Sequence, residues 1–348
     1  IRPYAGNNEF EFLRGFALEL KLKQWSILSF GSIRKLNANL MQLGFTSIDE
    51  SGLNRTELQQ IRIGNLQEAL AGFHFLKKGE KLTFGFTGVK QRFSEAAIPG
   101  TALYQLHHFS GRDNTILGTH ATYEWKSVIV FGEAAISQNR KGAGLMGITL
   151  TPDKRLALSI FQRWLSPAFQ PISSAVLSAA SRTNNESGTY IGLEFIPLAG
   201  HKLNGYIDLY RFPWLTYQAD APTYGMEYLL NYYWEWSDRT QFSVRFRSRS
   251  IEESPSGSMQ IQTLESQQFR MHLQHDSSQR LSFRLRYEKR MVISSQDKTS
   301  GDLFYIESIF KPENKKWSTD IRFSVFSIDS FDARIYAYER DVYFVHNV

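Results

Sequence analysis

The chain of 348 residues carries no cysteine, which excludes a disulfide framework, thiolate chemistry and cysteine-based metal sites. Its formal net charge of +6 is scattered along strand-like segments and not gathered on one helix, so it does not by itself call for nucleic acid. Aromatic residues make up 14%, mean hydropathy is −0.34, and no apolar run approaches the ~20 residues of a helical membrane span.

The opening "IRPYAGNNEFEFLRG" lacks the basic start and apolar core of a secretory signal, and the chain is expected to be a mature protein or a fragment. Period-two alternation then predicts strands in pairs. "GFALELKLK" and "WSILSFGSI" are parted by Lys23 and Gln24. "ALAGFHFL" and "KLTFGFTGV" flank "KKGE", and "THATYEW" and "VIVFGEAAI" flank Lys126 and Ser127. "GLMGITL" and "RLALSIF" flank "TPDK". In "GTYIGLEFIPLAGHKLNGYIDLYRFPW", Ile191, Leu193 and Phe195 alternate with Tyr190, Gly192 and Glu194, and Ile207 and Leu209 alternate with Asp208 and Tyr210. "MEYLLNYYWEW" with "TQFSVRFRS", "QFRMHLQ" with "RLSFRLRYEKR", and "LFYIESIF" with "WSTDIRFSVF" complete eight pairs, and "RIYAYERDVYFV" reads as a last strand. The expected total is about 16–18.

Tight turns near residues 23, 79, 127, 152, 199, 237, 277 and 314 alternate with longer polar loops at 41–68, 94–113, 168–188, 214–222, 253–259 and 294–301. Only 139–142 is short where a long loop is due. Short turns on one rim and long loops on the other predict an all-β, antiparallel up-and-down transmembrane β-barrel of the outer-membrane kind. Soluble sandwiches use Greek-key crossings. Residues 1–348 are read as a single outer-membrane β-barrel domain, a fragment of a longer chain. Trp25, Trp125, Trp164, Trp214, Trp234, Trp236 and Trp317 fall at or beside turns, where an interfacial aromatic girdle belongs; the bland alternative is ordinary core tryptophan.

If Phe242, Val244 and Phe246 face lipid, then Ser243, Arg245, Arg247 and Arg249 point inward or to the rim. By the same alternation so do Arg270, His272, Arg284, Arg286, Glu288 and Arg290, making a basic wall. Glu194, Asp208, Glu227 and Glu235 offer acids on the inner face. Opposed charges can set a transverse field that orients solutes, or can pair into ladders that stiffen a narrow or plugged barrel. Both readings stay open.

There is no G-x-S-x-G, H-E-x-x-H or phosphate-loop motif, so no catalytic residue, resident metal or cofactor is expected. His107 and His108, with Arg112 and Asp113, could be imagined around a metal, and Asp297 and Asp302 around calcium; routine loop polarity explains both as well. Residues 52–68 predict a short helix from Thr56, with Thr56 as N-cap and Gln59 completing a capping box. It could cap the mouth, meet a partner or simply pack the loop.

Three stretches, "SGLNRTELQQ", "GTYIGLEFIPL…HKLNGYIDLYRFPWLTYQADAPTYGMEYLL" and "SIDSFDARIYAYERDVYF", resemble the barrel portion of Bacteroidota proteins labelled helix-hairpin-helix-domain-containing. The likeness runs from about residue 14 to the end. Its strongest pieces are Tyr210–Trp214 through Asp220, Ala221 and Pro222, and Asp329, Asp332, Ala333, Arg334 and Tyr336 through Asp341. That family carries an N-terminal helical region and further strands after the second piece, so the resemblance implies a chain lacking its helical domain and closing strand. DNA binding by helix-hairpin-helix units is not carried over, and no nucleic acid is expected as a partner.

The leading expectation is a non-enzymatic, integral bacterial outer-membrane barrel. It would serve as a subunit or scaffold of an envelope transport or assembly complex, with lipid, lipopolysaccharide and other envelope proteins as partners. The alternative is a porin-like diffusion channel with a basic lumen wall. An enzyme with a rim active site and a soluble two-sheet binding protein are more distant alternatives.

Overall fold

The computed structural model describes residues 12–50, 54–172, 176–180, 182–254, 260–295, 297–313 and 317–338. Among them eighteen strands belong to one sheet, and the chain divides into two compact units.

The first unit comprises Ile1–Ile148, Phe161–Ser187 and Phe212–Tyr217. It holds β1 (Gly15–Leu22), β2 (Trp25–Leu36), β3 (Ala38–Met41), β4 (Gly44–Ile48), helix α1 (Glu57–Ile61), β5 (Leu66–Lys78), β6 (Leu82–Ala97), β7 (Gly111–Trp125) and β8 (Val128–Ser137). Strand β9 (Gly142–Asp153) starts in it, and β10 (Leu156–Leu165) ends in it. Antiparallel pairing runs β1–β2–β5–β6–β7–β8 in chain order. Two-residue turns reverse the chain after β1 and β7, and Lys23 and Lys126 take φ of 52° and 51° there. That left-handed backbone suits the right-handed twist of the flanking strands.

The second unit comprises Thr149–Ile160, Gly188–Arg211 and Gln218–Val348. It holds most of β11 (Glu186–Phe195) and β12 (His201–Phe212), then β13 (Thr223–Ser237), β14 (Thr240–Glu253), β15 (Gln262–Asp276), β16 (Leu281–Ile293), β17 (Lys298–Phe310) and β18 (Thr319–Ile328). From β13 to β18 every neighbour pair is antiparallel.

All sixteen paired strands expected from alternation form. Two differences stand out. The hairpin β3–β4 begins just ahead of the loop expected over 41–68 and runs into it, and its strands of four and five residues are too short to show a period. Phe45 of this hairpin packs with Leu36, Ala38, Leu66, Phe93 and Ala97 in a buried cluster, and its carbonyl accepts from Ile98 N at 2.8 Å. The last expected strand is not one over its described part: Phe331–Ala333 is a single 3-10 turn, Arg334–Tyr338 are neither strand nor helix, and residues 339–345 lie outside the described residues. The α1 expectation holds as stated. Thr56 Oγ1 accepts from Gln59 N at 3.3 Å while Thr56 N donates to Gln59 Oε1 at 3.1 Å, closing the capping box.

Side-chain exposure shows which solvent the apolar faces meet. On β12 Ile207 and Leu209 are 47% and 46% exposed, whereas Asp208 between them is 8%. On β11 Ile191, Leu193 and Phe195 are 43%, 36% and 39% exposed, whereas Gly192 between the first two is buried. Apolar side chains turned out and polar ones turned in invert a soluble sheet and match a lipid-facing one. With strands commonly of 10–15 residues, this is the antiparallel up-and-down transmembrane β-barrel fold. Ile207→Arg is expected to cost about 2–4 kcal/mol if its level is the bilayer midplane. Urea-dependent folding into lipid vesicles measures it, and a cost near zero would mean Ile207 does not meet lipid.

Candidate functional site

The water-facing side of β13–β18 is built by register. Arg245 and Asn231 sit opposite each other, as do Arg249 and Glu227; Arg245 faces Arg270, and His272 faces Arg286. Because opposed residues share a face, the alternation in each strand stacks its cations into one surface. Register places Arg245, Arg247, Arg249, Arg270, His272, Arg284, Arg286 and Arg290 on one face, together with Arg322 of β18, which opposes Glu307. Arg322 escaped the sequence reading because "DIRFSVF" carries only one base.

Three carboxylates tie the wall together. Glu288 is 0% exposed. It accepts from Arg270 Nε at 2.7 Å, Arg286 Nε at 2.7 Å and Gln268 Nε2. Glu307 accepts from Arg322 Nε at 3.0 Å and Arg284 Nη1 at 3.4 Å. Glu227 takes Arg247 in a bidentate pair at 3.0 and 2.8 Å and the hydroxyl of Tyr206, with Arg249 Nε at 3.9 Å. Arg245 Nε donates to Asn231 Oδ1 at 2.7 Å.

Of the four acids expected on this face, Glu227 enters the ladder. Glu194 pairs with Lys202 at 2.7 Å, both half-exposed. Asp208 is buried, and the Glu235 side chain is exposed. The other two acids, Glu288 and Glu307, lie inside "RLRYEKR" and "YIESIF": alternation turned Glu288 inward among bases, whereas Glu307 is the single charge of its segment and was not singled out.

The three glutamates do not match the wall charge for charge, since six arginines meet them while Arg245 bonds Asn231 and Arg290 a main-chain carbonyl. Arg284 Nε and Arg290 Nε are buried without a hydrogen-bond partner among the described residues. Arg245, Arg270, Arg284, Arg286, Arg322 and His272 converge, with Tyr305, on a recess of about 340 Å³. Such a recess offers guanidinium donors to an anion.

A smaller version of the ladder stands in the first unit, where Arg34 meets Glu68 and Gln91 Nε2 donates to Glu68 Oε1 at 2.6 Å. The long loops of that unit hold His107 and His108. The His107 ring lies 4.8 Å from Trp214 and His108 lies 6.0 Å from Tyr104. Neither histidine converges on Asp113, whose nearest cation is Arg92 at 3.9 Å, and Arg112 pairs with Glu95. Asp297 bonds Ser294, whereas Asp302 takes Tyr287 and Lys289. Among the described residues no cluster of three metal-ligating side chains forms.

Burial first, then the Arg182 charge and His107, push His108 down to about 4. With a folded value below the ordinary 6.5, acid favours the open chain, so this loop loses stability as pH falls from about 6.5 towards 4. Protease cleavage within 103–108 is expected to quicken at pH 5 relative to pH 7, and His108→Phe is expected to abolish the difference. Equal pH dependence in both proteins would assign the effect elsewhere.

Six of the seven tryptophans expected in a girdle are exposed or stack on an exposed neighbour. Trp25, Trp125, Trp164, Trp236 and Trp317 are well exposed, and Trp234 stacks on Trp236 at 5.2 Å. Trp214 does not join them. Its indole N–H donates to Leu103 O at 3.2 Å, and Asn185 Nδ2 donates to its carbonyl at 3.0 Å, so it ties loops together.

No family model matches the chain, and no curated protein does. Solved structures give loose likenesses. Acinetobacter baumannii OccAB1 is 13% identical over 95% of this chain and 96% of that one, with a TM-score of 0.41. A BenF-like porin from Pseudomonas fluorescens Pf-5 is 11% identical over 88% and 86%, with a TM-score of 0.38. Pseudomonas aeruginosa OccD3 is 11% identical over 94% and 90%, with a TM-score of 0.37. The fold class itself stands on register and exposure: the chain is an integral outer-membrane β-barrel that crosses the bilayer with strands.

Proposed function

We propose that the protein is a non-enzymatic, porin-like diffusion channel whose basic wall favours small anions. The observation that supports this most directly is the recess lined by five arginines and no carboxylate, in which Arg284 Nε has no hydrogen-bond partner among the described residues. A passing anion finds donors already oriented by Glu227, Glu288 and Glu307, so little side-chain entropy is lost on contact. A cation meets like charge in a region of lowered dielectric.

The test is reconstitution into planar bilayers, with reversal potentials read under a potassium chloride gradient. Discrete steps with anion preference are expected. Replacing Arg245, Arg247 and Arg286 together with glutamine is expected to lower the anion-to-cation permeability ratio about threefold or more. Absence of steps would sink the reading. The subunit role expected from the long loops predicts something else, a stoichiometric set of envelope proteins retained through gentle purification from native membranes.

A further inference from the structure

After β18 the chain turns at Ser330 through Phe331–Ala333 and runs back along the arginine wall. Alternate main-chain carbonyls are collected by three successive arginines. Arg290 Nη1 donates to Arg334 O at 3.1 Å, Arg286 Nη2 to Tyr336 O at 3.4 Å, and Arg322 Nη1 to Tyr338 O at 2.7 Å. These arginines lie at successively deeper levels, since Arg290 is in register with Gly301, Arg286 with Tyr305 and Arg322 with Glu307. Residues 334–338 thus form a strap descending from the long-loop rim.

The strap covers apolar wall. Leu303 shares the water-facing side with Gly301 and Tyr305, yet it is only 5% exposed. At Gly301 a Cβ would stand 2.3 Å from Ala333 O, so glycine there lets the strap lie flat. Tyr338 also lines the 340 Å³ recess. The strap's grip is modest, because peptide carbonyls are neutral acceptors and each such bond is worth less than one to an anion.

We infer that residues 334–338 are a displaceable stop on the basic wall, competing with anions for the guanidinium groups of Arg286, Arg290 and Arg322. The identity of the competitor rests on the anion-channel reading; the strap itself does not. Bound, the strap fills part of the passage and spends donors; displaced, it frees both.

The native chain has no cysteine, so Leu303→Cys supplies a single reporter thiol beneath the strap. The strap's own shape is held by Arg334, whose Nε donates to Tyr336 OH at 2.6 Å and Nη1 to Phe331 O at 2.8 Å, with the guanidinium 3.7 Å from the Phe331 ring. R334G/Y336G removes these contacts and leaves every wall arginine in place. In the full chain in lipid vesicles, labelling of L303C by a charged methanethiosulfonate reagent is expected to quicken about tenfold in the R334G/Y336G background. Inorganic phosphate is expected to quicken it in the L303C parent, and single-channel conductance is expected to rise in the R334G/Y336G variant. R290Q in the L303C background, which removes the donor to Arg334 O, gives a second route if the double variant does not fold, as judged by its heat-dependent shift on gels.

Labelling that ignores both the strap variants and phosphate overturns the proposal. Labelling that answers the variants but not phosphate overturns the competition. Strap-dependent labelling without conductance steps sinks only the channel reading, and anion-selective steps with strap-independent labelling sink only the strap.

Discussion

Arg163→Ala is expected to be the most damaging single truncation, at about 3–5 kcal/mol, the range for removing one member of a buried ion pair. Arg163 and Glu186 are both 0% exposed and paired. Glu186 also accepts from Ser178 Oγ at 2.6 Å, Ala179 N at 3.0 Å and Ala180 N at 3.3 Å. One carboxylate therefore fixes a strand end and the loop that returns over it. Without the guanidinium, Glu186 keeps its burial and its neutral donors but loses its counter-charge. The buried carboxylate is then uncompensated, which loosens residues 178–180. Arg280→Ala is the control, because its pair with Glu313 is more than half exposed on both sides and is worth about 0–1 kcal/mol. Urea midpoints for folding into vesicles compare the two. If they agree within about 1 kcal/mol, the Arg163 pair is solvated and the loop is held by something else.

Strand positions were legible because alternation is a local property, enforced at every residue by lipid on one side and water on the other. Ile207 beside Asp208 and Val244 beside Arg245 announce their faces without any knowledge of neighbours. The basic wall was legible for the same reason, since register only stacks faces that alternation has already assigned. What escaped depends on partners. Glu307 matters because the strands on either side offer Arg284 and Arg322 at its level, and no window of one strand contains that information. Glu288, which alternation had already turned inward, owes its place to Arg270 on the neighbouring strand as well as to Arg286 on its own. Trp214 resembles the other tryptophans in its place beside a turn, yet Leu103, over one hundred residues earlier, decides its role. The hairpin β3–β4 is too short for a period, and its reason to form lies in the apolar cluster with Phe93 and Ala97. The segment from Arg334 alternates as a strand would, but its carbonyls are taken by arginine side chains and not by a neighbouring strand.

Glu288→Gln separates the two uses of the wall, because stability and selectivity should move in opposite directions. Glu288 is fully buried, while its partners Arg270 and Arg286 retain 26% and 10% exposure. The cost of breaking a buried pair is therefore discounted for the solvent those arginines reach, leaving about 2–4 kcal/mol. Glutamine keeps the shape and one acceptor oxygen, so the loss reports charge more than packing. Arg270 and Arg286, no longer neutralised, add positive charge beside the recess that they line with Arg245 and Arg322. Anion preference in a potassium chloride gradient should then rise, even as the urea midpoint falls. Replacing Arg245, Arg247 and Arg286 with glutamine should move selectivity the other way. If E288Q lowers selectivity together with stability, the acid is needed to hold the arginines in their working geometry, and orientation outweighs net charge. If selectivity does not change while stability falls, the recess lies off the conducting path and the wall is a structural ladder.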